Sequence, residues 1–265
     1  MNLQAVRMSA RVVVAAAEIT LRQNIVDAFV LFTILLQPLV IAVLAMWMLG
    51  GRGGENAIFV VIGSGMTGLW SSLLFMGGNS INWERWTGTL ELLVGQPSHM
   101  SLIVFGKNLA VVLQSLGSML ASYALAAAFF QAPLRIAQPL LFGVSLVLMV
   151  ISFVCFGLVI APIFLMNPQV QHWQNAMEFP VYMLSGFLFP IALLPGWTTP
   201  LSYLLTPYWA ARALHGTSGG TASSSETLLC WGMMILLGVV YAFVSRWLMD
   251  VMLRKARADA TLRME

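Results

Sequence analysis

The chain has 265 residues, 59% of them hydrophobic and 9% charged, with a net charge of +3. A soluble domain carries about 25% charged residues, and a water-exposed globule of this composition would be one continuous apolar patch. These values exclude an ordinary soluble protein and point to an all-α integral membrane protein, whose lipid solvent tolerates an apolar exterior.

Residues 1–27 precede the first long apolar run. At 100° per residue, Arg7, Arg11, Glu18 and Arg22 fall in one sector, with Val6, Val13 and Ala17 roughly opposite. The pattern predicts an amphipathic helix lying in the cytoplasmic headgroup layer; an ordinary solvated helix would share it. No short apolar core with a small-residue cleavage site lies near the start, so no cleaved signal peptide is expected.

About 20 apolar residues cross the hydrocarbon core as a helix. Six stretches meet that length: Phe29–Leu49, Ala57–Ser80, Ser101–Phe130, Gln138–Met166, Gln174–Leu194 and Thr227–Met249. Each is continuous rather than alternating with period two, which argues against a barrel. Backbone amides in lipid must be satisfied within the segment, which argues for helices. Pro38, Pro162, Pro180 and Pro190 are expected to kink or end them. A six-span bundle over 28–252, between the N-terminal helix and a tail at 253–265, makes a single domain.

Lys and Arg in the loops set the orientation. Arg7, Arg11, Arg22, Arg85, Lys107, Arg246, Arg254, Lys255, Arg257 and Arg263 fall on one side, against Arg52, Arg135 and Arg212 on the other. This bias predicts a multi-pass protein with both termini in the cytoplasm. It also accounts for the positive charge without a nucleic-acid partner.

Catalytic and metal signals are thin. Gly63-Ser-Gly65-Met-Thr-Gly68 matches a dinucleotide fingerprint but lies inside a predicted span, where small residues serve close helix packing. His99, His172 and His215 have no metal-ligand spacing, and no metal is expected. Cys155 and Cys230 sit in apolar runs as small core residues. No loop ends in Gly-Lys-Ser/Thr, so the chain is not expected to bind ATP in that way or to act as an enzyme by itself.

The loop after the second predicted span is the informative one. It runs Asn82-Trp-Glu84-Arg85-Trp-Thr87-Gly88-Thr89-Leu90-Glu91-Leu92-Leu93-Val-Gly-Gln-Pro97. Thr87 or Thr89 could cap a short amphipathic turn, with Glu91 favourable to the helix dipole. Between two long spans such a turn is either a lever or a simple interfacial connector. Further on, Pro190, Pro195, Pro200 and Pro207 cut the chain into pieces too short to span. Trp197, Tyr203, Tyr208 and Trp209 there suit a membrane interface.

Trp70, Phe75, Met76, Phe179, Tyr182 and Met183 are candidates for an adaptable apolar substrate path, or for plain helix packing. Glu178 lies near the fifth predicted span. An acid at the bilayer centre costs about 2.5–3.5 kcal/mol on insertion scales; at the cytoplasmic end of the span it would be ordinary. Asn79 and Asn82 are candidates for hydrogen bonds across helices.

Glu84-Arg-Trp-Thr-Gly-Thr-Leu-Glu91-Leu-Leu, then Pro97 and Gly106-Lys107, resembles the signature of the type-2 ABC exporter permease family, which includes drug, lipo-oligosaccharide and polysaccharide exporters. Ser185-Gly-Phe-Leu-Phe-Pro190, Leu194-Pro195-Gly-Trp197 and Leu201-Ser-Tyr-Leu-Leu-Thr-Pro207 resemble a second block of that family. The resemblance implies that Glu84–Leu93 is a coupling helix seated in a partner ATPase. Glu84, Arg85 and Glu91 would be polar contacts there, Gly88 would permit the tight turn, and Thr87, Thr89 and Leu92 would complete the contact. It implies that Phe187–Thr206, with Pro190, Pro195, Trp197 and Tyr203, is a re-entrant hairpin near the exterior face. It implies a transmembrane permease subunit in the cell membrane that pairs with a second copy of itself or a related permease. ATP and Mg would be bound by the partner ATPase, and no cofactor by this chain. The expected cargo is a lipophilic small molecule, or alternatively a lipid-linked glycan, polysaccharide or lipo-oligosaccharide; a secondary transporter or channel is the further alternative, which would call for more buried ionisable residues or an inverted repeat.

Overall fold

The computed structural model describes residues 3–32, 36–48, 57–96, 99–130, 135–166, 170–189 and 191–258. Among these residues every regular element is a helix. In chain order they are α1 (Leu3–Val26), α2 (Ala28–Leu31), α3 (Gln37–Met48), α4 (Ala57–Ser72), a π turn (Leu73–Gly77), α5 (Ser80–Trp86), α6 (Leu90–Val94), α7 (Met100–Phe130), α8 (Pro139–Leu165), α9 (Val170–Ser185), two 3-10 turns (Ile191–Leu193, Gly196–Thr198), α10 (Thr199–Tyr203), α11 (Thr206–Gly219) and α12 (Ser224–Ala258).

Four helical stretches among the described residues are long and apolar enough to cross a bilayer: Ile58–Trp86, Met100–Ala124, Pro139–Leu165 and Ser224–Arg254. They correspond to the second, third, fourth and sixth predicted spans. The first predicted span lies partly outside the described residues, which include α2 and α3 but not residues 33–35 and 49. The fifth is α9, whose 16 residues rise about 24 Å against a hydrocarbon core of about 30 Å, with Pro180 inside.

The core forms where α4 meets α7, α8 and α11. Met66, Leu69, Trp70, Leu73 and Leu74 of the α4 stretch pack against Met149, Phe153 and Phe164 of α8 and Leu214 of α11. Three glycines let α4 approach its neighbours. A Cβ on Gly63 would stand 2.2 Å from the Phe187 carbonyl oxygen, one on Gly65 2.5 Å from Met119, and one on Gly68 2.1 Å from Pro38. The nucleotide-like motif is therefore a packing surface.

Residues 1–27 form a helix along most of their length, and it lies against α7. Ala16 and Thr20 are buried, while Arg7, Arg11, Glu18 and Arg22 are exposed. Gly106 makes the contact possible, since a Cβ there would lie 2.4 Å from the Val13 carbonyl oxygen. Asn24 Nδ2 donates to Gln114 Oε1 at 2.7 Å across the same seam.

The bundle has two distinct ends. At one, here the stub end, Ile81, Leu90, Met100, Val104, Leu158, Leu165, Met249 and Met252 form a second apolar cluster that carries α5 and α6. At the other, the hairpin end, α11 folds against α4, α8 and α12, while α10 packs on α9 and α11. There Ala137 N–H donates to Ser218 O and Gln138 N–H to Thr217 O, linking the entry of α8 to the exit of α11.

Candidate functional site

The predicted lever is a helix–turn–helix stub. α5 ends at Trp86, Gly88 adopts φ +73°, and α6 begins at Leu90. Positive φ strains any residue with a Cβ. Nothing lies within 4 Å of where a Cβ would point at Gly88, so conformation rather than space demands the glycine. Thr89 precedes α6; its N–H donates to Glu84 O at 2.9 Å, and its carbonyl accepts Leu93 N–H at 3.2 Å. Thr87 Oγ1 donates back to Trp83 O at 3.0 Å and closes α5.

Leu90 is buried and fastens α6 to the bundle, whereas Leu92 is 71% exposed. Thr87, Gly88, Trp83 and Trp86 are also exposed, and Trp83 and Trp86 meet edge to face at 6.1 Å. Arg85 is half-buried. The backbone of Glu91 lies in α6, but its side chain is outside the described residues.

Glu84 departs from the expected outward contact. Its side chain is 15% exposed and faces inward, ion-paired with Lys107 of α7. It also accepts the Thr89 hydroxyl, and Lys107 Nζ reaches the Ser80 carbonyl at 3.5 Å. An unpaired carboxylate here would be desolvated, so it turns toward the nearest ammonium instead of toward a partner.

Beside the stub lies a cavity of about 790 Å³. Thr20, Gln23, Asn24 and Asp27 of α1 and its exit form one wall, and Gln174 and Asn175 of α9 another. Phe75, Met76, Asn79, Trp83 and Trp86 come from the α4–α5 stretch, and Lys107 from α7. Phe75 and Met76 belong to the π turn, which Gly78 N–H closes on Leu73 O at 2.8 Å. Buried Gln174 donates Nε2 to Leu74 O at 3.3 Å, so α9 leans on a carbonyl of that turn. Asn79 and Asn82 bond to each other, Nδ2 to Oδ1 at 3.3 Å, rather than across helices.

One helical turn further along α9, Glu178 is 8% exposed. Its Oε1 accepts Ser71 Oγ at 2.6 Å and Tyr182 OH at 2.7 Å, and the two hydroxyls touch each other. The carboxylate is thus inside the bundle against α4.

The six aromatic and methionine candidates fall in separate places. Trp70 is fully buried and stacks on Phe156 at 5.4 Å, so it is core and does not line the cavity. Phe75 and Met76 line the cavity. Tyr182 holds Glu178. Phe179 and Met183 project from the outer face of α9.

At the hairpin end Phe187 is fully buried, while Pro195 and Trp197 are exposed. Pro190 lies outside the described residues. Tyr203 packs on Tyr208 at 5.4 Å and on Trp209 at 5.5 Å, and Trp209 Nε1 donates to Tyr203 O at 2.9 Å. Beyond Thr206 the chain continues as α11, a helix that the aromatic pattern alone did not reveal. His215 of α11 stacks on Phe59 at 3.9 Å, with Nε2 3.2 Å from the Phe187 carbonyl. A carbonyl only accepts, so Nε2 carries the proton. Burial pushes the His215 pKa down to about 4 against the opposing pull of that carbonyl, leaving the ring neutral at pH 7. Arg212 bonds Glu226 at 2.7 Å, which raises the guanidinium pKa.

Lys107, Gln174 and Ser71 were not paired with Glu84, the π turn and Glu178 by sequence reasoning. Lys107 stood out only as part of the Gly106-Lys107 signature and the cytoplasmic charge set, and Gln174 and Ser71 only as polar side chains at or inside apolar runs. Among the described residues no group of three or more His, Cys, Asp or Glu is placed to hold a metal.

A family model described as ABC-2 type transporter matches residues 12–217, which is more than half of the chain and takes in the stub, the cavity and most of α11. No curated protein matches. Helices long enough to span, and a family match of that extent, identify the chain as a member of the ABC-2 type transporter family, a multi-pass membrane permease subunit.

Proposed function

We propose that this permease subunit works as half of an ATP-driven exporter, taking a lipophilic small molecule, a drug or natural product, from the cytoplasm or inner leaflet and releasing it outside. Two copies, each with six spans and both termini in the cytoplasm, enclose the path. Two ATPase subunits that bind ATP and Mg dock beneath them. The observation that carries this reading is the stub Ser80–Val94 inside the family match. It is a short helix pair with an exposed rim at Thr87, Gly88 and Leu92 and a buried anchor at Leu90. Closure of the ATPase dimer pushes the stub, and the spans joined to it change the access of the cavity.

Phe75 and Met76 on the cavity wall suit an apolar cargo, because methionine adapts to irregular shapes. A specific observation favours a second reading, a lipid-linked glycan as cargo. The same cavity holds the carboxamides of Gln23, Asn24, Asn79, Gln174 and Asn175 beside Trp83 and Trp86. Amides bond sugar hydroxyls, and indole faces pack on sugar rings.

The test is co-expression with candidate ABC ATPase subunits, reconstitution in vesicles, and uptake of a lipophilic fluorescent dye compared with a short-chain glycolipid. ATP-dependent dye movement supports the first reading, and glycolipid movement alone supports the second. Robust ATP hydrolysis by the isolated chain, or absence of any ATP-dependent movement in the assembled complex, overturns both.

A further inference from the structure

Lys107 belongs to two structures at once. It lines the 790 Å³ cavity, and its ammonium is ion-paired with Glu84 of the stub. Glu84 uses both carboxylate oxygens, Oε1 for Lys107 and Oε2 for the Thr89 hydroxyl. Thr89 in turn starts α6, through its carbonyl on Leu93 N–H. A single carboxylate therefore ties α5, α6 and α7, with the Lys107 and Glu84 side chains only 11% and 15% exposed.

Cohesion does not require this pair. Ile81 and Leu90 of the stub already pack on Met100 and Val104 of α7 and on Leu158 of α8. A well-packed apolar pair in place of a buried ion pair is commonly as stable or more so. What an ion pair adds is one preferred geometry, because its attraction falls steeply as the charges part in a low-dielectric setting.

We propose that the Glu84–Lys107 pair is the joint through which the cavity wall and the ATPase-facing stub move as one. Glu84 and Lys107 are positioning residues, and neither is a contact for the ATPase. The proposal rests on the transporter reading above. When the stub is displaced, Lys107 is drawn with Glu84, and the α7 wall of the cavity shifts against α1 and α9. With the charges removed, α6 still docks and ATP is still hydrolysed, but the cavity no longer follows.

The test uses the assembled complex with spin labels at Ile25→Cys and Trp173→Cys. These are exposed positions flanking the cavity on α1 and α9, placed in a background where Cys155 and Cys230 are replaced by Ser. The label distance is measured without nucleotide and with ATP plus vanadate. In the parent complex the distance distribution shifts between the two states. In Glu84→Gln/Lys107→Met, which keeps an acceptor for Thr89 and removes both charges, the shift is lost, while ATPase co-purification and hydrolysis stay within about twofold. The exchange Glu84→Lys/Lys107→Glu restores at least part of the shift. A shift that survives in the uncharged variant, or one absent from the parent, overturns the joint. Failure of the parent chain to assemble with an ATPase overturns the transporter reading itself and is read separately, from co-purification.

Discussion

At the stub end, one carboxylate, one ammonium and one hydroxyl fix the relative position of α5, α6 and α7 on top of their apolar packing. At the hairpin end, Phe59, His215, Tyr203, Tyr208 and Trp209 do the corresponding work for α4, α10 and α11 through ring contacts of 3.9 to 5.5 Å. Stacked rings tolerate small slides, since offset and edge arrangements are similar in energy. A buried ion pair does not, because removing one member strands a charge. The first fastening is all-or-none and suits an element that transmits displacement. The second is broad and suits an element that keeps its shape.

The contrast can be broken most severely at the stub. Lys107→Met alone leaves the Glu84 carboxylate without its cation and should cost about 3–5 kcal/mol. The expected readout is a large drop in the thermal midpoint of the purified chain; a midpoint equal to that of the parent would mean that Glu84 is solvated after all. Overpacking the ring end comes next. Gly63→Ala puts a Cβ 2.2 Å from the Phe187 backbone oxygen, a clash of about 1–3 kcal/mol that should also raise protease sensitivity around Phe187. Trp209→Phe keeps a ring but deletes the donor to Tyr203 O. The expected loss is about 1 kcal/mol, with transport unchanged if the hairpin end only holds shape.

The remaining test is a pH slope. The folded His215 pKa lies below its ordinary value, so its contribution is complete above about 6.5 and is lost as pH falls toward about 4. A melting series should therefore decline by a few degrees over that window. His215→Gln should flatten that decline, and an identical decline in the variant would assign it to other groups.

How much could be read in advance follows the same division. α7, α8 and α12 were legible because their apolar runs are unbroken over at least 25 residues. The fifth predicted span was less so, because Pro180 falls within a helix of only 16 residues, and the first lies partly outside the described residues. The glycines of 63–68 were legible as packing residues, though not the neighbours they meet. The stub was found from its own residues, with Thr89 at its cap. The direction of Glu84 was not, since its cation stands 23 positions away. Glu178 was harder still, as its Ser71 partner is 107 positions off. Periodicity sees a helix face; it does not see which face meets a distant polar group.

The π turn at Leu73–Gly77 also sets the direction in which everything after it points. Such a turn carries one residue more than an α turn, and each residue of a helix advances the azimuth by about 100°. The wide turn takes up that extra residue within one revolution, so straightening it without shortening the chain would swing Glu84 about a quarter of a revolution away from Lys107. A change that only regularised the helix would then leave the apolar pattern of the span intact and still aim its charged tip at the wrong neighbour.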